Sequence, residues 1–245
     1  MTEPRLQRVR LEILLVLAIT FGISGLRASL RLIDALLDPT PLNEQQVTLN
    51  TTMSSSAWID LALQLCSAGV LVAYGCLVLF LLAGDRITLH PPRWSDVAWG
   101  AGLAAIIGLP GLVFYASAVH LGLSREVIPT TLTHPWTEVP VQLLWSGANA
   151  FGEEIVVVFY LLTRLRGLGW GMPAALAASS VLRGSYHLYQ GVSAGFGNIL
   201  MGLLYGWFFW RTGRVWPLVI AHFLIDAFAF VGYSFLSGNL SFLGL

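Results

Sequence analysis

The stretch GEEIVVVFYLLTR, residues 152–164, decides the fold. Nine uncharged residues, Ile155 to Thr163, separate two adjacent carboxylates, Glu153 and Glu154, from Arg164. A run this apolar reads as buried or membrane-spanning, yet it begins on charge. The rest of the chain has the same character. Its 245 residues are 56% hydrophobic and only 11% charged, with a mean hydropathy of +0.73, where soluble domains carry about 25% charged residues. This is the composition of a membrane protein.

The formal net charge is zero and all thirteen basic residues are arginines, so no basic field favours nucleic acid as a partner. The bilayer is the partner that composition implies. The sequence contains no zinc-ribbon spacing, P-loop, dinucleotide fingerprint or internal repeat. Cys66 and Cys76 share one apolar segment and stand about 15 Å apart along a helix. That exceeds the reach of an intrachain disulfide, and they read as small packing residues.

A hydrocarbon core of about 30 Å takes about 20 apolar helical residues. Seven stretches approach that length: 11–33, 58–83, 95–120, 139–163, 172–190, 195–211 and 215–236. The expected fold is therefore all-α, a polytopic membrane protein of about seven transmembrane helices forming a single membrane domain over 1–245. Arginines alternate between the connections. Arg5, Arg8 and Arg10 precede the first span, Arg86 and Arg93 follow the second, Arg164 and Arg166 the fourth, and Arg211 and Arg214 the sixth. The positive-inside rule then puts the N-terminus in the cytoplasm and the polar 34–57 connection outside. The first segment is longer than a signal-peptide core and has no clear cleavage site, so it reads as an uncleaved span. Arg27, Arg31 and Asp34 at its outer end read as snorkelling groups.

Ionisable residues deep in the spans are few: Glu153 and Glu154 in the fourth, Arg183 and His187 in the fifth, His222 and Asp226 in the seventh. Each Asp, Arg or Lys at a helix centre costs about 2.5–3.5 kcal/mol on insertion scales, so the groups must meet one another. With a rise of about 1.5 Å per residue, Glu153, Arg183 and Asp226 each lie about 16 Å from the cytoplasmic end of their span. Arg183 with His187, and His222 with Asp226, are spaced i, i+4 and share helix faces. Gly147, Ala148, Gly152, Gly197, Gly202 and Gly206 would let the helices approach closely.

Two adjacent carboxylates in a low dielectric cannot both ionise cheaply, which suits one of them to general-base work. Two histidines add donors for an oxyanion or neutral ligands for zinc or another divalent metal, for which His187 and His222 are the candidates. Either version activates water against a carbonyl, which is amide hydrolysis inside the membrane. A structural hydrogen-bond network is the plain alternative for each residue taken singly.

In combination these residues resemble the three motifs of the CPBP family (CAAX protease and bacteriocin-processing, also called Abi), which run E-E-x-x-x-R, F-x-x-x-H and H-x-x-x-N or D. The resemblance covers about 139–236, a CPBP-like catalytic core. It implies an intramembrane endopeptidase, often described as a metalloprotease, acting on a peptide or prenylated-protein-like substrate of the membrane. Glu153 would activate water with His187, His222 and Asp226 would hold the oxyanion, and Glu154 would support them; in the metal version His187 and His222 bind zinc. A cut in the cytoplasmic half of the bilayer, in a bacterial inner membrane, is the expected setting. The chain departs from the motifs at Val158, where they have arginine, and at Arg183, where they have an aromatic. The expectation is that the guanidinium has moved from the fourth span to the fifth as a supporting charge. Other readings are a non-catalytic scaffold or immunity-type protein that retains the pocket, and a proton- or cation-coupled transporter, against which no inverted repeat is visible.

Overall fold

The computed structural model of the chain describes residues 3–128 and 135–232. Helices occupy each of the seven apolar stretches, although the end of the last, 233–236, lies outside the described residues. They are α1 (Glu3–Ile19), α2 (Phe21–Leu37), α3 (Ala57–Gly84), α4 (Ser95–His120), α5 (Pro135–Glu153), α6 (Leu161–Gly167), α7 (Met172–His187), α8 (Val192–Thr212) and α9 (Trp216–Ala227). A π-helical segment, Glu154–Tyr160, joins α5 to α6 without a break, and a second one, Phe228–Gly232, extends α9.

The architecture is all-α, and three helices, α3, α4 and α8, are each long and apolar enough to cross a membrane. The first expected span is not straight. The α1–α2 pair meets the same standard only as one unit bent by 48°. At the bend the hydroxyl and amide of Thr20 both donate to the Val16 carbonyl, at 2.7 and 3.0 Å. A side chain that bonds back to its own helix in this way bends it. The π segment and the start of α6 are enclosed by neighbouring helices, so a polar group costs less there than against lipid.

Two short strands form the one sheet among the described residues. Gln46–Thr48 (β1) pairs in parallel with Glu126–Ile128 (β2), both centred on β-branched valine. The Arg125 side chain fastens this cap to its surroundings, donating to the backbone oxygens of Tyr189 and Gln46 at 3.3 and 3.1 Å.

Packing explains the glycines. A Cβ on Gly202 would come within 3.0 Å of the Ser180 backbone, and one on Gly184 within 2.6 Å of the Gly195 carbonyl, so α7 and α8 touch nearly backbone to backbone. Gly206 and Gly152 are similarly close to Leu176 and Leu71, whereas Gly147 and Gly197 have room for a side chain. Cys66 and Cys76 are free and exposed on α3, facing outward rather than packing as expected.

Arg164, one of the arginines that alternate between the connections, is only 5% exposed and forms the hub of a clasp. Its Nε donates to Glu12 at 2.8 Å, Nη1 to Asp85 at 2.7 Å and Nη2 to the Leu81 carbonyl at 3.1 Å. Tyr160 donates to the same Glu12 oxygen and Arg5 to Asp85. The first helix, the end of α3 and α6 are thus tied together by one guanidinium, whose planar fork suits several acceptors at once.

The clasp carries a pH signature. The hydrogen bond from Arg164, and beyond it the charges of Arg164 and Arg5, hold the Asp85 carboxyl below its ordinary value of 3.8 despite burial. A depressed acid stabilises the fold above its unfolded value and loses that contribution as the pH falls through the lowered one. Asp85→Asn is therefore expected to cost about 1–2 kcal/mol near neutrality, a charge-assisted bond discounted for partial screening. Thermal unfolding in detergent should find wild type and variant well separated at neutral pH and converging below about pH 4.

Candidate active site

The fourth stretch changes helix type at the acidic pair. Glu153 ends α5 and Glu154 opens the π segment, whose i→i+5 bonding gives a wider turn and a smaller angular step per residue. Adjacent residues in an α-helix point about 100° apart. Here both carboxylates reach one guanidinium: Arg183 Nη2 is 2.5 Å from Glu154 Oε1, and Nη1 is 3.5 Å from Glu153 Oε2. Arg183 and Glu154 are 0% exposed and Glu153 5%. Every residue from Glu153 to Leu162 is buried, which explains why a run bearing two carboxylates is otherwise so apolar.

The seventh stretch supplies the other wall. His222 Nδ1 lies 2.8 Å from Glu154 Oε1, and its Nε2 lies 3.6 Å from Asp226 Oδ1. A carboxylate only accepts, so Nδ1 of His222 is the donor and Nε2 faces Asp226. The sequence-derived set of Glu153, Glu154, Arg183, His222 and Asp226 is thus gathered from three separated helical segments into one cluster. His187 stands at its edge. Its Nδ1 donates to the Arg183 carbonyl at 3.0 Å, which leaves Nε2 with the lone pair in the neutral ring. It is within electrostatic reach of Glu153 and His222.

Three neutral residues belong to the site that a search confined to ionisable groups in the sequence passes over. Tyr186 donates to Glu153 Oε2 at 2.6 Å. Asn149, one turn before Glu153 and on the same face, donates to Asp226 Oδ2 at 3.3 Å. The Tyr205 ring centre lies 5.7 Å from the Arg183 guanidinium carbon, a cation–π distance. Helical spacing from Glu153 is a signal that finds Asn149; nothing in sequence distinguishes Tyr186 or Tyr205 from core aromatics.

The site has a closed and an open side. Its partly exposed members, Asn149, His187 and Asp226, are each about one turn from a buried partner, Glu153, Arg183 and His222. Short connections make α7 and α9 run antiparallel to α5, so all three displacements point to the same end of the bundle. That end carries the Leu188–Gln190 turn and the β1–β2 cap.

As arranged, the donors fit a divalent metal poorly. Among the described residues no group of three or more His, Cys, Asp or Glu side chains converges as a ligand set. Arg183 already compensates both glutamates, and both histidine Nδ1 atoms are engaged, leaving only the two Nε2 atoms as nitrogen donors.

The family comparison bears on this same segment. Residues 135–228 match the family model for Rce1-like type II CAAX prenyl endopeptidases. That match supports the CPBP resemblance of this segment. No curated protein and no solved structure matches the chain. The matched region begins at α5 and holds every residue of the cluster, while α1 to α4 lie outside it. A multi-pass membrane protein with a protease-family core follows from the apolar helices and this match together.

Proposed function

We propose that the chain is an intramembrane endopeptidase that hydrolyses a peptide bond of a membrane-associated, CAAX-type substrate. One observation carries the reading: a carboxylate pair held by a fully buried arginine, with His222 against it and His187 at its open edge, inside a segment matched by a protease family. Glu153, oriented by Tyr186 and partly compensated by Arg183, takes a proton from water as the oxygen attacks the scissile carbonyl. His187 Nε2 helps to position that water. His222, with Asp226 beside its ring, faces the developing oxyanion, whose stabilisation is usually the largest contribution to such a barrier. Glu153 then delivers its proton to the departing amine nitrogen, giving one carboxylate and one amine product. Glu154 and Arg183 hold His222 and Glu153 in place.

The proposal extends to the setting. The chain is one membrane domain of seven spans, N-terminus in the cytoplasm, with its catalytic core at 139–236 and a bacterial inner membrane as its place. On that orientation the open end of the site faces outward. We therefore place the scissile bond in the extracytoplasmic half of the bilayer, rather than the cytoplasmic half that the depths alone suggest. A retained but inactive pocket, as in a scaffold, is less well supported, because Arg183 makes the compensating contact whose absence at Val158 had favoured it.

Water activation by Glu153 needs no metal, and this separates the two chemical versions. Cleavage of a fluorescence-quenched farnesylated peptide by the purified protein is expected to survive prolonged dialysis against EDTA. Loss of turnover that zinc restores would instead favour a site built on His187 and His222.

A further inference from the structure

We propose that Asn149 donates the side-chain amide N–H of the oxyanion site, an assignment that rests on the endopeptidase reading above. The residue four after His222 is an aspartate, and an ionised carboxylate offers no hydrogen to an oxyanion. A donor must come from elsewhere. Asn149 lies one helical turn before Glu153, on the face that carries the candidate base. Its Nδ2 is 3.3 Å from Asp226 Oδ2, while Asp226 Oδ1 is 3.6 Å from His222 Nε2. Asp226 therefore accepts from the Asn149 amide and lies within ion-pair distance of the His222 ring, whose Nε2 carries a hydrogen only as imidazolium.

An amide carries two N–H bonds. One from Asn149 goes to Asp226, and the other finds no protein partner among the described residues. Asn149 and Asp226 are both partly exposed, on the open side of the cluster, whereas Glu154 and Arg183 are sealed beneath them. A substrate carbonyl approaching Glu153 from that side meets the Asn149 amide and the His222 ring together. Asn149 on α5 and Asp226 on α9 thus form one amide–carboxylate pair across the helix interface.

Swapping the two side chains of this pair defines the test. With the full-length protein in detergent and a fluorescence-quenched farnesylated peptide as probe, Asn149→Asp is expected to lower kcat about 10²-fold with little change in KM. This is the usual consequence of losing one oxyanion donor. The reciprocal double variant, Asn149→Asp with Asp226→Asn, restores one amide facing one carboxylate and is expected to recover to within about tenfold of wild type. Thermal midpoints are measured alongside, and Asn149→Leu, similar in shape and uncharged, replaces Asn149→Asp if the latter unfolds.

A kcat within threefold of wild type in a folded Asn149 variant overturns the assignment, as does a double variant no more active than Asn149→Asp. Wild-type protein with no turnover dependent on Glu153 overturns the endopeptidase reading and this assignment together. Wild-type turnover with an indifferent Asn149 removes only the second.

Discussion

Glu153→Gln is expected to abolish cleavage of a farnesylated peptide, by at least about 10³-fold, while the protein keeps its thermal midpoint in detergent. Glutamine preserves the volume and one oxygen, so Tyr186 keeps an acceptor and the 3.5 Å contact to Arg183 survives in neutral form. What disappears is the only function glutamine cannot reproduce, taking a proton from water. Activity that persists in a folded Glu153→Gln protein sinks the assignment of the base. Loss of the fold along with activity would mean that the charge is structural, as in a scaffold.

The second large effect concerns the guanidinium. Arg183→Leu leaves Glu153 and Glu154 sealed in the interior with only the Tyr186 hydroxyl and the His222 ring as partners and the guanidinium contact removed. Removing one partner of a buried ion pair costs about 3–5 kcal/mol, a large share of the stability of an ordinary domain. The thermal midpoint should fall by many degrees, with activity lost as well. Val158 suggests a compensating change: it is fully buried in the π segment, four residues after Glu154. Alone, Val158→Arg overpacks the interior and adds a like charge near Arg183, so it too is destabilising. In the double variant the second cation takes the place of the first, and stability and turnover should be better than the sum of the single effects. Additive losses would show that positions 158 and 183 do not share one charge-compensating role.

Much of this arrangement was legible in the chain. Charges as costly as Glu153, Arg183, His222 and Asp226 in apolar helices have to converge, and i, i+4 spacing assigns them to faces. Both arguments need only helix geometry and the low dielectric of the interior. The residues that escaped are those whose role is not paid in charge. Asn149 and Tyr186 cost little in a membrane helix whether or not they reach a carboxylate, so composition gives no reason to single them out. The clasp escaped differently. Arg164 near the end of a span satisfies the positive-inside pattern as well exposed as buried, and Glu12 and Asp85 lie 152 and 79 residues away from it.

Hydrophobic period and length determined that the chain is helical and membrane-embedded, because these depend on each residue's own transfer free energy between water and lipid. The same transfer costs determined that the buried charges form a cluster. Tertiary structure decided which atoms face which. It bent the first helix at Thr20, widened the fourth at Glu154 so that one guanidinium serves both carboxylates, and set His222 between Glu154 and Asp226. It also opened the cluster toward the end carrying the β1–β2 cap. Those choices turn on distances of a few tenths of an ångström between helices far apart in sequence, where close packing leaves few alternatives and no local signal records the result.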